Sequence, residues 1–463
     1  MALFYPRCRA IISAVFDGFG GNDSDPNIFQ VVPKSASVNL NGYKEADTWS
    51  LEFDAKQFPF SPEIIRSLAV EIYMFQVAGA FDDEEKFAAD EPLVTGLLDE
   101  STLHYGDDGR TFRMSGRDYT ALMLDQTWPV NKKVPVGLPL DQTVQQIVDD
   151  ATQKNKTGRT LTVQFLPDFE HPILGRTPET VTRKKVKISP TTGKGHGKSN
   201  RRGFPVKSGR NYWDVIYALC LRHGFITFVR NNDVIITTPQ TLTEQTAQKA
   251  VRMAYGRNLS SLEIERHMGK DATPTVIVTS YDPATQQTIR GQYPPAGKTK
   301  IKTTGIGTKK DEFRIVSIAG VTDPAQLQAC AETYYNNLAR SETRSKFETQ
   351  WLTDLDGRDL FKFRPGDPVG IEFDPFDGDE MRRLTVAERY SYLIRLGYSP
   401  AVADLVSREF EMLDLFQLPR QCRNATFEYD HESGVSVSVE VMNYNVPQRD
   451  DPRFNVAPAQ GNS

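Results

Sequence analysis

Short runs that alternate apolar and polar residues dominate both ends of this chain, and they constrain its fold more than any other feature. Near the N-terminus the runs are RAIISAVF, FQVV, ASVNLNG, DTWSLEF and LAVEIYMFQV, separated by Gly, Asn, Asp and Pro. After residue 250 the pattern returns in SLEIERHM, TPTVIVTSYD and EFRIVSI, and finally in ATFEYDHESGVSVSVEVMNYNV. Successive side chains of a strand point to opposite faces of a sheet. Both ends are therefore predicted to be β-rich domains of barrel or sandwich type.

The middle of the chain has helical spacing instead. Residues 138–153 place Val144, Ile147 and Val148 on one face, and Asp141 is the expected N-cap of that helix. The segment YWDVIYALCLRHG repeats apolar residues at helical intervals, and FITFVRNNDVIITTP after it has the pattern of a hairpin. These elements predict an α+β middle domain, so the overall fold class is α+β and mainly β.

Two other helical segments interrupt the later strands. One is predicted from about Asp323 to Ser341, and the other, at 388–416, is predicted as a helical hairpin inserted into the second β domain. The predicted domains are residues 1–127, residues 128–245 with a basic loop at 184–210, and residues 246–446 with the helical insertion. Residues 447–463 are rich in Pro, Asn and Asp and are predicted to be a flexible tail.

Composition excludes several classes of protein. No run approaches the roughly 18 apolar residues that a membrane-spanning helix needs, and the N-terminus lacks the uninterrupted apolar core of a signal peptide. Only four cysteines occur, widely spaced and without a CxxC pair, so neither a disulfide framework nor a zinc cluster is predicted. They are expected to be buried thiols in a protein assembled in the cytoplasm.

The basic loop at 184–210 is rich in Gly, Lys and Arg and nearly devoid of large apolar groups. Its Gly197-Lys198-Ser199 resembles the end of a phosphate-binding loop, but Thr192 stands where that motif requires Gly. Lys194, Lys198, Arg201 and Arg202 are candidates for contact with DNA or with another protein. A solvated loop is the alternative.

Other patterns give no support to catalysis. Six histidines are scattered without a zinc-binding spacing, and the acidic cluster Asp374, Asp377, Asp379 and Glu380 does not have the spacing of an EF-hand loop. No GxSxG occurs, and no cysteine has the context of a nucleophile. No catalytic residue, cofactor or metal is predicted.

Two short motifs are predicted to be structural. Gly116-Arg117-Asp118 is expected at a strand-to-helix turn, where Gly permits the turn, Arg117 pairs with a carboxylate and Asp118 caps a helix. Pro365-Gly366-Asp367 has the residue order of a type II turn between two strands.

The segment VTGLLDESTLHYGDDGRTFRMSGRDYTALMLDQ resembles the strand-turn-strand-helix signature of the phage late-control and baseplate-hub family. Its core is Ser115-Gly116-Arg117-Asp118 followed by Thr120, Ala121 and Leu122. Further similar segments follow in the same order: YWDVIYALCLRHGF, TSYDPATQQTIRGQYP, CAETYYNNLARSE, FETQWLTDL and FRPGDPVGI. The family includes the hub part of the type VI secretion spike, but this chain has no β-helix-like repeat after its hub region.

The resemblance implies two tube-type β-barrel domains that flank the α+β domain, and a homotrimeric ring with pseudo-sixfold symmetry. Such a ring joins a hexameric tail tube to a trimeric central spike. The implied partners are the tail tube protein, the central spike protein, the tape-measure protein and baseplate wedge proteins, with DNA passing transiently through the lumen. The implied location is the virion tail or baseplate, after assembly in the host cytoplasm.

Two other classes of function are kept as alternatives. One is a tail-associated peptidoglycan hydrolase, because two carboxylates only have to meet in space and the chain has 60 acidic residues. The other is a module that binds cell-surface glycans.

Overall fold

The computed structural model divides the chain into two compact units. The first, called the β unit, consists of Met1–Asp118, Pro239–Asp271 and Asn336–Ser463, and the second, called the mixed unit, consists of Tyr119–Thr238 and Ala272–Tyr335. The structure describes residues 4–16, 27–42, 44–78, 91–106, 109–130, 132–135, 138–155, 160–166, 209–222, 225–238, 251–254, 258–266, 275–282, 287–295, 313–317, 324–340, 343–372, 384–395, 397, 399–400, 403–404, 407 and 420–443.

Strands make up most of the described structure, as the alternating pattern predicts. Their bounds are β1 Phe4–Phe16, β2 Asn27–Val31, β3 Ser35–Leu40, β4 Thr48–Asp54, β5 Ile65–Ala78, β6 Val94–Gly106, β7 Gly109–Asp118, β8 Thr162–Phe165, β9 Ile226–Arg230, β10 Asp233–Thr237, β11 Val251–Ala254, β12 Ser261–Arg266, β13 Thr275–Asp282, β14 Gln287–Tyr293, β15 Phe313–Ser317, β16 Thr343–Thr349, β17 Pro368–Glu372, β18 Arg420–Asp430 and β19 Gly434–Asn443.

The helices are fewer and lie mainly in the mixed unit. Their bounds are α1 Ala121–Leu124, α2 Leu140–Asn155, α3 Tyr212–Arg222, α4 Pro324–Arg340 and α5 Val386–Arg395, with single 3-10 turns at Ala55–Gln57, Pro62–Ile64 and Leu360–Lys362. Asp141 was predicted to cap this helix, but it lies inside the first turn of α2, because α2 begins at Leu140, two residues earlier than a cap at Asp141 would require. Among the described residues, no helix is both long enough and apolar enough to cross a membrane.

In the part of the β unit that the structure describes, 13 strands form one sheet. Its main path runs β12-β16-β19-β18-β3-β4-β7-β6-β5-β1-β2, and β17 pairs with both β18 and β11. Strands from the N-terminal region and the C-terminal region meet where β18 pairs with β3, in an antiparallel ladder from Ala425 opposite Leu40 to Asp430 opposite Ser35. The two β-rich regions predicted at the ends of the sequence are thus joined in one sheet.

The alternation of side chains explains the position of the core. In β3 every second residue is buried, and the buried residues Ala36, Val38 and Leu40 join one apolar cluster that contains residues from both ends of the chain. Phe53 and Phe112 stack in this cluster with ring centroids 5.7 Å apart. Each large apolar side chain buried in this way stabilises the fold by about 1.5–3 kcal/mol.

The two ends of the chain contribute the same four-strand unit to this sheet. In the N-terminal region the order is β3-β4-β7-β6, and in the C-terminal region it is β12-β16-β19-β18. The pairings match residue for residue: Ala36 faces Leu51, which faces Met114, and likewise Leu262 faces Phe347, which faces Val439. Both units also have a bulge at the same place, between Leu98 and Glu100 in β6 and between Cys422 and Asn424 in β18.

Among the described residues, the mixed unit contains two three-stranded sheets. The first has the order β8-β10-β9, with a parallel β8–β10 pair and an antiparallel β9–β10 hairpin. Its hairpin turns at Asn231, whose φ of 53° lies in the left-handed region that Asn tolerates. The second sheet has the order β14-β13-β15, and α4 packs so closely on it that a Cβ at Gly291 would lie 2.4 Å from the Leu327 carbonyl oxygen.

The inserted helical segment is described only in part. Helix α5 begins after Thr385, whose hydroxyl and backbone N–H both donate to the Glu388 carboxylate at 2.8 Å. These bonds lower the pKa of Glu388 and form a capping box at the start of the helix. Much of the predicted insertion at 388–416 lies outside the described residues, as does the predicted tail at 447–463.

All four cysteines are buried, and none forms a disulfide. Burial raises the pKa of the Cys220 thiol to about 12. A thiol with such a pKa stays protonated and unreactive at neutral pH. The positions agree with the expectation of buried thiols.

Candidate functional surface

The two matched four-strand units together present a polar face, formed by side chains that point away from the apolar cluster. Most of these side chains are short hydroxyls and amides. They are Ser35, Ser37, Asn39, Thr48, Ser50, Thr102, Thr111, Ser115, Ser261, Asn424, Thr426, Ser436 and Ser438. Because all eight strands are continuous in one sheet, the polar face is continuous as well.

Carboxylates outnumber basic groups on this polar face. Asp99 and Arg423, the residues at the two bulges, are left out of this comparison. The acidic side chains are Glu52, Asp54, Glu100, Glu263, Glu265, Glu348, Glu428, Asp430 and Glu440, and the basic ones are Arg113, Arg117, Arg344 and Lys346. The polar face is therefore a negatively charged surface, although the whole chain has a formal net charge of only -5. A surface of this kind repels polyanions such as nucleic acids.

A hollow of about 280 Å³ on the polar face is organised around Glu440. One oxygen of this carboxylate lies 3.0 Å from Nη1 of Arg423 and 3.6 Å from Nη1 of Arg344, and the other accepts a 3.2 Å hydrogen bond from the Asn424 amide. All these groups are partly exposed, so each ion pair contributes about 1 kcal/mol or less. The network holds the side chains of neighbouring strands in place and leaves the hollow polar.

A second hollow, of about 320 Å³, is lined in part by serines of β3, β4 and β19 and in part by the last residues of β18. At its rim the Asp430 carboxylate accepts hydrogen bonds from the N–H groups of Glu432 and Ser433, at 2.9 and 2.8 Å. These bonds lower the pKa of Asp430 and hold the β18–β19 hairpin turn. In the part of the chain that the structure describes, no group of three or more His, Cys, Asp or Glu side chains is placed to hold a metal ion.

The predicted Gly116-Arg117-Asp118 motif lies in a strand and not at a strand-to-helix turn. Gly116 is paired on both sides within β7, and a Cβ there would lie 1.9 Å from the Leu97 carbonyl oxygen and 2.8 Å from the Trp49 ring. Glycine is required at this position because the Trp49 indole and the neighbouring strand come so close.

The two polar residues of the motif have different surroundings. Arg117 binds Asp99 with two parallel hydrogen bonds of 2.6 and 2.8 Å, the geometry of a forked ion pair at the surface. Asp118 is buried at the end of β7. It is not the cap of the next helix, because α1 begins at Ala121 and its N-cap position is Thr120.

The Pro365-Gly366-Asp367 segment forms a tight turn between the 3-10 turn at Leu360–Lys362 and β17, and so does not join two strands. Gly366 has a φ of +97°, and the Asp367 N–H donates to the Arg364 carbonyl at 3.0 Å, which is the geometry of a type II turn. The Asp367 carboxylate also accepts a 2.8 Å hydrogen bond from the Arg364 N–H.

Several predicted residues lie outside the described part of the chain. They are the loop candidates Lys194, Lys198, Arg201 and Arg202, and the acidic cluster Asp374, Asp377, Asp379 and Glu380. Among the histidines, His104 in β6 and His431 in the β18–β19 turn are described, and they lie on different strand pairs.

Sequence reasoning missed the polar face, although its signal is present. The residues Ser, Ser and Asn at alternate positions of SASVNL, and Asn, Thr and Glu in the last strands, are the polar half of the alternation used to predict strands. The alternation predicts that one face of each strand is polar. It does not predict that eight such strands lie side by side.

Comparison with known proteins finds similarity in structure only. Neither known protein families nor curated proteins give a match to the sequence. A tail protein from Neisseria meningitidis MC58 is 11% identical, with a TM-score of 0.53 over 94% of this chain and 96% of that one. The 43 kDa tail protein of prophage MuSo2 from Shewanella oneidensis is 13% identical, with a TM-score of 0.54 over 95% of this chain and 100% of that one.

A component of the E. coli type VI secretion system, described as similar to T4 bacteriophage tail proteins gp27 and gp5, is 9% identical with a TM-score of 0.44. The aligned region covers 93% of this chain and 76% of the E. coli chain. At such low identities the comparisons show similarity of fold alone. That similarity rests on the Neisseria and Shewanella proteins, whose TM-scores are higher. The chain has the fold of these tail proteins over nearly its whole length.

Proposed function

We propose that this protein is a structural subunit of a phage-type tail, the hub that joins the tail tube to the central spike. Three copies form a ring, and the polar face lines its channel. The observation that carries this proposal is the repeated four-strand unit, which occurs in a chain with the fold of phage tail proteins.

The repeat accounts for a change of symmetry. One chain contains β3-β4-β7-β6 and β12-β16-β19-β18, which have the same register. Three chains therefore supply six similar four-strand units, which can meet a hexameric tube on one side, while the trimer itself matches a trimeric spike on the other. In this proposal the two four-strand units form the two tube-type β-barrel domains predicted within 1–127 and 246–446, and Ala272–Tyr335 belong to the mixed unit.

The polar face is the better candidate for the inside of the ring. The opposite face carries the apolar cluster, to which β1, β2, β5, β11 and β17 of the same sheet also contribute, and these strands need the space that the outside of a ring provides. Eight strands from each of three copies would make 24, and at about 4.8 Å per strand the ring would be roughly 37 Å across between opposite backbones. Strand tilt widens such a ring further.

The chemistry of the polar face suits a channel. Hydroxyl groups are wetted easily without binding a passing chain strongly, and the excess of carboxylates repels DNA phosphates. DNA and tape-measure protein would pass along such a surface without being held. Lys194, Lys198, Arg201 and Arg202 would provide a separate basic contact for DNA or for a protein, and such a contact with DNA would weaken as salt increases.

The partners proposed are further copies of this chain, the tail tube protein, the central spike protein, the tape-measure protein and the baseplate wedge proteins. The proposed location is the tail or baseplate of a virion, after assembly in the host cytoplasm. The protein acts in this proposal through its surfaces and not as an enzyme.

Electron microscopy of the purified protein tests this function directly. Rings with a central hole, and a mass in solution of about 156 kDa, three times the 52.1 kDa chain, are the expected result. A compact monomer that stays a monomer after addition of tail-tube and spike proteins would overturn the proposal. Digestion of purified cell walls would then test the alternative of a peptidoglycan hydrolase.

A further inference from the structure

The two matched units differ in what covers their last strand. In the C-terminal unit, β18 pairs with β19 on one side, and on the other it pairs first with β17 at residues 420–421 and then with β3 at residues 425–430. In the N-terminal unit, β6 pairs with β7 on one side and with β5 only from Val94 to Leu97. Beyond Leu98, no strand among the described residues lies on that second side of β6.

The equivalence of β6 and β18 is fixed by register. Residues 96–98 and 420–422 both precede the bulge, and residues 100–106 and 424–430 both follow it. Ser101, Thr102, Leu103, His104 and Tyr105 therefore correspond to the segment Ala425–Tyr429, which has the similar sequence ATFEY. The edge of β6 beyond Leu98 therefore has a residue pattern similar to that of β18, and β3 covers the edge of β18 in the same chain.

Burial shows the effect of the missing strand. Tyr429 is 6% exposed beside β3, whereas its equivalent Tyr105 is 63% exposed. Phe427 is fully buried, whereas its equivalent Leu103 is only partly buried against the core. A tyrosine and a leucine that alternate on the apolar side of an edge strand form a surface that another strand would cover.

A strand that matches the one missing beside β6 lies at the other end of the sheet. Strand β12 corresponds to β3, and in the described structure it ends the sheet with a partner, β16, on one side only. Its Ile264 is 40% exposed, whereas the equivalent Val38, covered by β18, is fully buried. The sequences SASVNL and SLEIER have the same alternation of polar and apolar residues up to their final position.

We propose that copies of this chain join by antiparallel pairing of β6 in one copy with β12 in the next, in the register of the β18–β3 ladder within each chain. Leu103 then lies opposite Ile264 of the next copy, and Tyr105 lies opposite Leu262. On the polar side His104 lies opposite Glu263. This interface rests on the proposed ring, since it names the surfaces by which the ring closes.

The pairing completes what each edge lacks. The apolar side chains of both strands are removed from water, the backbone groups along the edge of each strand gain partners, and the polar face continues without interruption from one copy to the next. The contact is heterologous, because two different edges meet, and such a contact closes into a ring when the rotation between copies permits it.

Engineered cysteines test the register. We expect His104→Cys in one preparation and Glu263→Cys in another to form a disulfide-linked dimer when the two are mixed and mildly oxidised, because directly opposite Cβ atoms lie about 4.5–5.5 Å apart. The four natural cysteines are buried and do not compete. A chain with both substitutions should give covalent trimers.

The matched control is the pair Thr102→Cys and Ser261→Cys. Both residues are on the polar side, but in the proposed register they are four positions apart, about 13 Å along the strand. This pair should give little cross-linked product. Equal cross-linking of both pairs, or preferential cross-linking of the control, would refute the register.

A charge at the edge tests the interface without a disulfide. Ile264→Lys places a lysine on an already exposed position, so the fold should persist while the ring falls apart to a 52.1 kDa monomer. Val130→Lys, at a site 73% exposed in the mixed unit, should leave the ring intact. Rings that survive Ile264→Lys and give no His104–Glu263 cross-link would overturn this interface and leave the ring standing, whereas wild-type protein that forms no rings would overturn both.

Discussion

The two four-strand units place different residues at one equivalent point of their cores. In the N-terminal unit the large group is Trp49 in β4, and it lies against Gly96 in β6 and Gly116 in β7. In the C-terminal unit the equivalent of Trp49 is Ser345, and the equivalent of Gly96 is Arg420, whose guanidinium donates to the Ser345 hydroxyl. The large side chain of this contact therefore belongs to β4 in the N-terminal unit and to β18 in the C-terminal unit.

This difference shows how a repeated backbone can persist without a repeated sequence. The space between the strands must be filled, but either partner can fill it. The N-terminal unit fills it with an apolar ring, and the C-terminal unit fills it with a buried cation, whose burial lowers the pKa of Arg420. The N-terminal contact therefore depends on packing, and the C-terminal contact depends also on hydrogen bonds.

The largest effect is expected from Gly116→Val, which introduces the residue found at the equivalent position, Val441. The new Cβ would lie 1.9 Å from the Leu97 carbonyl oxygen, and a backbone atom in a paired strand cannot move away cheaply. We expect a loss of more than about 4 kcal/mol in the free energy of unfolding, measured by denaturant titration. Gly370→Ala is the control, since its Cβ would meet nothing closer than 3.9 Å, and a similar loss there would contradict the explanation.

A smaller loss is expected from Trp49→Ala. The indole is 3% exposed and its Nε1 has no hydrogen-bond partner in the described structure, so the substitution removes packing and leaves a cavity above two glycines. The expected cost is about 3 kcal/mol by the same titration. Trp351→Ala, at a site 53% exposed, should cost less than about 1 kcal/mol, and equal effects at the two tryptophans would show that the core contact is unimportant.

Arg420→Met should cost less again, about 1–2 kcal/mol. The methionine fills much of the space of the arginine stem, but the hydrogen bond to Ser345 is lost. The double variant Arg420→Met with Ser345→Ala sharpens the comparison, because removing both polar partners should restore part of the stability. A double variant that is less stable by the full sum of the single losses would show that the two residues do not interact.

The smallest effect is expected from Asp430→Asn in the β18–β19 hairpin turn. Asp430 holds the β18–β19 turn, and its folded pKa lies below the ordinary 3.8 because its hydrogen bonds favour the charged form. The stabilisation is therefore present above the ordinary pKa and is lost as the pH falls through the lower folded value. The denaturation midpoint of wild type should exceed that of Asp430→Asn at pH 6, and the two should converge at low pH. A difference that grows as the pH falls would contradict this assignment.

The strands were predictable because their alternation is local, and so were α2, α3 and α4. The matching registers of the two units were not predictable, because the segments between equivalent strands differ in length. In addition, few equivalent residues are identical; Thr102 with Thr426 and Tyr105 with Tyr429 are two such pairs. Gly116 was predicted at a turn because glycine most often serves there. Its true role depends on Trp49, which lies far away in sequence and meets it only through the pairing of β4 with β7.

The ladder between β18 and β3 has a kinetic consequence for assembly. Its two strands belong to one chain, so they meet at an effective concentration set by the tether and independent of how much protein is present. In the proposed ring, three of the six seams would lie within chains, one already closed in each monomer, and only the other three would depend on encounters between molecules. Dilution would then separate the ring at every second seam and release intact pairs of four-strand units.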